Sequence, residues 1–238
     1  MILRCDLHIH TALSPCGDMD MTPNNIVNMA QLKGLDVIAI TDHNTSANAA
    51  AVMECAKDAP LIVIPGMELE TSEEAHFVCL FSSLAQAEQF QQWLSGFFLP
   101  LANRPDIFGE QAVMNAADEI VGYEQRLLVT AAGCSIYDAA PQVRKLGGVI
   151  YPAHVDRDSY SVISNLGAIP PDLDFHTAEI SRRTTAEEAL ARFPHLAPYR
   201  LVTASDAHYL WDIYEGECAL RLPERSISAV LNYLKGRD

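Results

Sequence analysis

Cysteine spacing of the C-x-x-C kind is missing. The six cysteines, at positions 5, 16, 55, 79, 134 and 218, form no dense framework, so reduced thiols in a cytoplasm are the simplest reading. No apolar run approaches the roughly 20 residues of a membrane span, and mean hydropathy is only +0.06; no membrane partner is expected. Met1 to Asp6 lead directly into polar, His-containing sequence, with no apolar secretory region in view. Cations are scarce too: 16 Lys and Arg stand against 31 Asp and Glu, for a net charge of −15. Most affinity for long nucleic acid comes from cationic contacts to phosphate, so a long duplex is not favoured and a small phosphorylated partner is expected. A Gly-rich phosphate loop after the first strand is also absent, which counts against an open doubly wound sheet.

What is present is a regular alternation. Short apolar runs at 2–9, 36–41, 61–64, 76–81, 149–151, 177–180 and 201–203 are separated mostly by helical patterns, as in βαβ units around a parallel sheet. Thr22 and Pro23 suit an N-cap and first helical position, and Gly34 suits the helix end. Roughly seven such strand–helix units predict one α/β barrel domain over 1–238. The stretch 84–146 is too long for one crossover; it is expected to be an inserted, mainly helical segment or lid. Ser135 caps its last helix, Gly147 and Gly148 stop it, and Phe90, Trp93, Phe97 and Phe98 pack into a small core.

Histidines and acids fall at the strand ends. Asp6-Leu7-His8-Ile9-His10 ends the first run, Asp42-His43 the second and Met67-Glu68 follows the third, while His154 and Asp206-Ala207-His208 end two later runs. In a parallel barrel these ends share one rim. Positions i and i+2 of a strand point the same way, so His8 with His10, and Asp206 with His208, can each grip a cation. Imidazole plus carboxylate suits Zn²⁺, Mn²⁺ or Fe²⁺, and Glu68 has two oxygens with which to bridge two ions. His76, at the start of a run, is less obviously placed; His176 and His195 read as structural or surface residues.

The ordered set D-L-H-I-H-T, T-D-H, G-M-E, P-A-H and S-D-A-H, from Asp6 to His208, resembles the PHP (polymerase and histidinol phosphatase) superfamily. The resemblance implies a distorted (β/α)7 barrel and a phosphoesterase site with two or three divalent metal ions. By position, His8, His10, Glu68 and Asp206 would hold one ion and Glu68, His76 and His154 a second. His43 and His208 would contribute to a third, with Cys16 or Asp18 beside them where related proteins carry His or Asp. Cys16 as ligand would favour zinc.

Two such ions would acidify a shared water and neutralise charge on a phosphate. His43 or His208 could protonate the leaving oxygen, and Asp42 joins them as a candidate catalytic group, with Asp42 and Asp6 also placed to orient imidazoles. Arg157, Arg182 and Arg183 follow strand ends and are the expected phosphate grips. The expected substrate is a small phosphate ester such as a nucleotide, nucleoside bisphosphate or short oligonucleotide end. Two rivals remain: a C–N-cleaving amidohydrolase barrel, disfavoured because Lys33, Lys57, Lys145 and Lys235 sit in helices or turns rather than mid-barrel, and a non-catalytic scaffold, disfavoured because the ligand set is nearly whole.

Overall fold

The computed structural model describes residues 1–237. Seven strands curl into a barrel: β1 (Ile2–Ile9), β2 (Val37–Ile40), β3 (Ile62–Glu70), β4 (His76–Leu80), then β7 (Val149–Pro152), β8 (Thr177–Ser181) and β9 (Arg200–Ala204). β1, β2 and β3 run parallel, β4 is antiparallel to β3 and β7 antiparallel to β4. β8 and β9 form a separate parallel pair. A few links close the ring: Val155 N–H donates to the Glu179 carbonyl at 2.8 Å, and Ile9 bridges to Ala207, whose carbonyl accepts from His10 N–H at 3.0 Å and whose N–H donates to the His8 carbonyl at 3.3 Å. β10 (Cys218–Arg221) pairs antiparallel with the start of β1, where Cys5 and Cys218 oppose each other as thiols with Sγ atoms 3.3 Å apart.

Helices layer the outside. α1 (Pro23–Leu32) starts where expected, with the Thr22 side chain accepting from Asn25 N–H, and Ile26, Val27 and Ala30 buried. α2 (Ala49–Cys55) packs beside it. The alternation on β2 shows how the strands serve two layers: Val37 and Ala39 join the inner cluster, Ile38 and Ile40 the α1–α2 cluster. On β1 the register shifts between Asp6 and Ile9. Cys5 and Leu7 are inside but Ile9 packs outside with Ile26 and Val27, because a one-residue phase change exchanges the faces of a strand. That shift turns His8 and His10 toward the barrel mouth.

The segment 84–146 departs from the mainly helical expectation. α3 (Leu84–Leu94) and α5 (Ile136–Lys145) are layer helices, and between them lie only the single turn α4 (Pro105–Phe108), a short 3-10 turn and the hairpin β5 (Ala112–Met114) with β6 (Ile120–Tyr123). Apolar residues in this stretch follow pairing across a hairpin rather than a helical stripe. Ser135 caps α5 as expected, in a capping box with Asp138, and Gly147 follows it at φ 80°. Phe90 is buried, and Trp93, Phe97 and Phe98 pack on the same cluster. Three further helices, α6 (Val162–Leu166), α7 (Ala186–Arg192) and α8 (Ile227–Leu234), complete the layer, α8 closing on the inner cluster through Val230, Leu231 and Leu234. No helix among the described residues is long and apolar enough to cross a membrane.

Gly66 marks where β3 leaves β2 and takes up β4. A Cβ there would lie 2.5 Å from the Cys79 carbonyl oxygen and 2.7 Å from a Leu80 methyl. Gly66→Ala is expected to cost about 1–3 kcal/mol through this overpacking. An unchanged urea midpoint would contradict the close approach.

Candidate metal centre

The reversal of β4 explains His76. In an antiparallel strand the first residue lies at the rim where the parallel strands end, so His76 meets the residues that follow or close β1, β2, β3, β7 and β9. Glu68 is the hub. Its Oε1 lies 2.7 Å from His76 Nδ1, 3.0 Å from His154 Nε2 and 3.4 Å from His8 Nε2, and its Oε2 lies 2.9 Å from His43 Nδ1 and 3.5 Å from His10 Nε2. Asp206 Oδ1 is 3.0 Å from His10 Nε2 and 3.4 Å from His8 Nε2.

Three groups of donor atoms result, each within 4.8 Å: His8, His10, Glu68 and Asp206; His43, Glu68 and His76; His10, His43 and His208. His154 adjoins the second through Glu68. Cys16 Sγ adjoins the third, 3.1 Å from His208 Nε2. Asp18 does not join them; its Oδ1 accepts from Asp20 N–H in its own turn.

The residues fit divalent cations. Glu68 Oε2 is buried and lacks a hydrogen-bond partner among the described residues, although His43 Nδ1 is close. Nε2 of His8 and Nε2 of His10 face each other at 3.2 Å. Imidazole nitrogens and carboxylate oxygens crowded this closely in one buried pocket are arranged for a shared cation. Backbone strain supports the placement: His154 and Asp206 hold φ of 30° and 51°, a region costly for residues other than glycine.

Burial disfavours charge throughout the cluster, and neighbouring charges oppose or reinforce it. At His8, Glu179, Glu68 and Asp206 outweigh burial and hold the pKa well above its usual value. Burial, reinforced by His208 and His43, keeps His10 well below it. Glu68 and Asp206 stay well below the usual carboxylate range despite burial, Glu68 because of His76, His8 and His43, Asp206 chiefly because of His8 and His10. Partial desolvation favours the neutral thiol of Cys16, which is exposed at the rim, but His208 and His43 bring it down to about 6.

Outer partners differ from expectation. Asp6 accepts from Ser205 and Tyr214 N–H and orients no imidazole. Asp42, expected to be catalytic, is fully buried and accepts from Thr11 N–H, Thr11 Oγ1 and Ser14 Oγ; it reaches the ring only through Ser14, 2.9 Å from His10 Nδ1. The group that holds His8 is Glu179, whose Oε1 accepts from His8 Nδ1 at 3.0 Å. Glu179 was missed because it sits inside an apolar strand run; a lone acid at such a position was the available signal. Glu179→Gln keeps the shape but loses the charge, and should weaken cation binding about 10–100-fold in calorimetric titration. Unchanged affinity would remove Glu179 from the centre.

A cavity of about 240 Å³ opens above Glu68, between His43, His76, Tyr160, Arg157 and Val129. Val129 comes from the excursion between α3 and α5, pinned where Asn44 Nδ2 donates to the Leu128 and Thr130 carbonyls. Arg157 enters this cavity, 2.7 Å from Asp206 Oδ2. Arg182 and Arg183 do not: Arg182 pairs with Asp212 at 2.8 Å, and Arg183 lines a neighbouring hollow. None of the four lysines lines the cavity.

Comparison with known proteins agrees with this geometry. The PHP domain family model matches residues 6–139, more than half of the chain. Over 79 residues the chain is 37% identical to an uncharacterized protein of Methanocaldococcus jannaschii, and over 74 residues 32% identical to a 5'-3' exoribonuclease of Haemophilus influenzae; these alignments cover 30% and 31% of this chain and 46% and 26% of those proteins. The chain thus spans less than half the length of either relative. The lesion-specific endonuclease Q of Pyrococcus furiosus superposes with a TM-score of 0.67 at 15% identity, covering all of this chain and 57% of that one. A protein of Bifidobacterium adolescentis assigned to the metal-dependent phosphoesterases gives 0.58 at 18%, covering 98% and 96%. An endonuclease Q complex holding a 27-mer duplex with an abasic lesion at the active site matches at 0.69 and 16% identity, covering 100% and 57%. This last finding overturns the preference for a small phosphorylated partner over long nucleic acid. Net charge averages the whole surface, whereas a phosphate meets the local field at the mouth.

Proposed function

Because the chain belongs to the PHP domain family, we propose that it is a metal-dependent phosphoesterase that hydrolyses phosphodiester bonds of nucleic acid. One observation carries the reading: Glu68 turns its two oxygens to two different sets of imidazoles. His8, His10, Glu68 and Asp206 would hold one cation, and Glu68, His76 and His154, with His43 beside them, a second. His43 and His208 with Cys16 would favour zinc at a third position; manganese or iron suits the others equally. Bound cations supply positive charge for the phosphoryl oxygens and acidify water.

The chain's own groups do the rest. Arg157 is anchored by Asp206 and offers its remaining guanidinium N–H groups to a non-bridging oxygen. His208 Nδ1 donates to the Asp206 carbonyl at 2.8 Å, which points Nε2 to the mouth. With no cation at the third position, His43 or His208 could instead hold the proton that the leaving oxygen takes. Tyr160 rests on the His76 ring with centroids 5.1 Å apart and narrows the entrance. The excursion around Val129 acts as the opposite wall, within a single domain.

The test is a hydrolysis panel with Mn²⁺ or Zn²⁺: bis-p-nitrophenyl phosphate, single-stranded DNA and RNA, duplex DNA with and without an abasic site, phosphomonoesters, and amides. Cleavage of diesters and oligonucleotides is expected. Activity on amides alone would overturn the reading.

A further inference from the structure

Beside the metal cavity lies a second hollow of about 590 Å³, walled by Arg157, Arg183, Arg192, Ser159, Thr184 and Phe193, with three acids also facing it. Building on the phosphodiesterase reading, we propose that it is a second phosphate subsite, which takes the backbone phosphate next to the one being cleaved.

Arg157 lines both hollows, so they are separated by one side chain. The same short loop supplies Tyr160 to the first and Ser159 to the second. A strand laid across the mouth presents one phosphate per nucleotide, and the phosphate beside the scissile one meets this hollow.

By count the charges balance, three arginines against three acids, so the arrangement of the groups decides. Asp156, Asp158 and Glu188 face the hollow along with the three arginines. Two of the acids are already committed. Asp156 accepts from Ser181 N–H and Oγ, both at 2.6 Å, and Glu188 accepts from Thr185 N–H at 2.9 Å and from its hydroxyl. The third, Asp158, is 90% exposed where it meets Arg192 at 2.8 Å; a pair in such open water holds its partner weakly and yields it to phosphate. Arg183 has no ion pair among the described residues; its backbone N–H donates to Ser181 Oγ at 3.2 Å. The Asp156 and Glu188 carboxylates keep their charge but are turned to local donors, while the Arg183 guanidinium has no acidic partner among the described residues and that of Arg192, held by Asp158 and by the Asp156 carbonyl at 3.3 Å, is exposed enough to exchange. Ser159 and Thr184 add hydroxyl donors at the same wall. A planar guanidinium pair with hydroxyls is suited to phosphate oxygens. A substrate carrying only the scissile phosphate has nothing to place here, so the subsite selects for a polynucleotide.

The test compares wild type with Arg183→Ala/Arg192→Ala, and with Arg183→Glu as a charge-reversed second variant. Bis-p-nitrophenyl phosphate reports the scissile position alone, and a fluorescein-labelled single-stranded oligonucleotide reports both. The ratio of kcat/KM for the oligonucleotide to that for the small diester should fall about tenfold in the double variant, through KM, and further in Arg183→Glu. In a separate arm with EDTA, oligonucleotide binding is followed by anisotropy over a range of salt. The slope of log affinity against log salt should become shallower by about 0.7, the share of one lost phosphate contact on a single strand. An unchanged ratio and slope in both variants would overturn the subsite. If wild type hydrolyses neither substrate, the phosphodiesterase reading fails, and the binding arm still decides the subsite: weaker binding in the variants supports it and equal binding overturns it.

Discussion

Glu68→Gln is expected to lower kcat/KM for any diester the protein cleaves by more than about 100-fold, beyond the range typical of an outer partner of a ligand, while the circular dichroism spectrum stays that of wild type. Glutamine keeps the shape of the side chain at the end of β3. It lacks the charge and offers one oxygen where two are used. Both oxygens have assigned neighbours: Oε1 faces His76, His154 and His8, and Oε2 faces His43 and His10. Replacing the carboxylate therefore disturbs two cation positions at once, and an amide N–H directed at His43 or His76 competes with any cation for the imidazole lone pair. Metal content should fall together with activity. Activity within tenfold of wild type at full metal content would show that Glu68 is not the hub.

The second large effect concerns the cations themselves. Treatment with EDTA should abolish hydrolysis, and adding Mn²⁺ or Zn²⁺ should restore it. The same cations should stabilise the fold, because His8 and His10, His43, Glu68, His76, His154 and Asp206 come from or follow separate strands of a ring closed by few hydrogen bonds between β7 and β8 and between β9 and β1. Saturation at about 100 times Kd contributes roughly 2.7 kcal/mol, which for a chain of this size raises Tm by roughly 5–10 °C. Stability that ignores cations, with hydrolysis that survives chelation, would contradict a centre built across the barrel.

Much of this was legible in the sequence for a physical reason. Strand ends in a parallel barrel share a rim, so His8, His10, His43, Glu68, His154 and Asp206 could be assigned to one place from their position after apolar runs. His76 was harder to place because its strand is reversed, and direction is a property of pairing that no single run reveals. The same holds for β5 and β6, whose pairing lies within 84–146, where spacing along the chain by itself suggests a mainly helical segment. Glu179 was hidden because its role depends on which strand faces His8 across the ring. Asp42 was visible as an acid beside His43, but the Thr11 and Ser14 donors that occupy it belong to another loop. The preference for a small partner over long nucleic acid rests on composition: −15 is a sum over the chain, while folding collects Arg157, Arg183 and Arg192, with three acids, beside the cavity.

The most direct measurement is anomalous X-ray diffraction from crystals of the protein grown with Mn²⁺ or Zn²⁺, recorded on either side of the metal edge. Strong anomalous peaks are predicted among His8, His10, Glu68 and Asp206, and among Glu68, His76 and His154. Crystals saturated with metal that show no peak within reach of Glu68 would contradict the account.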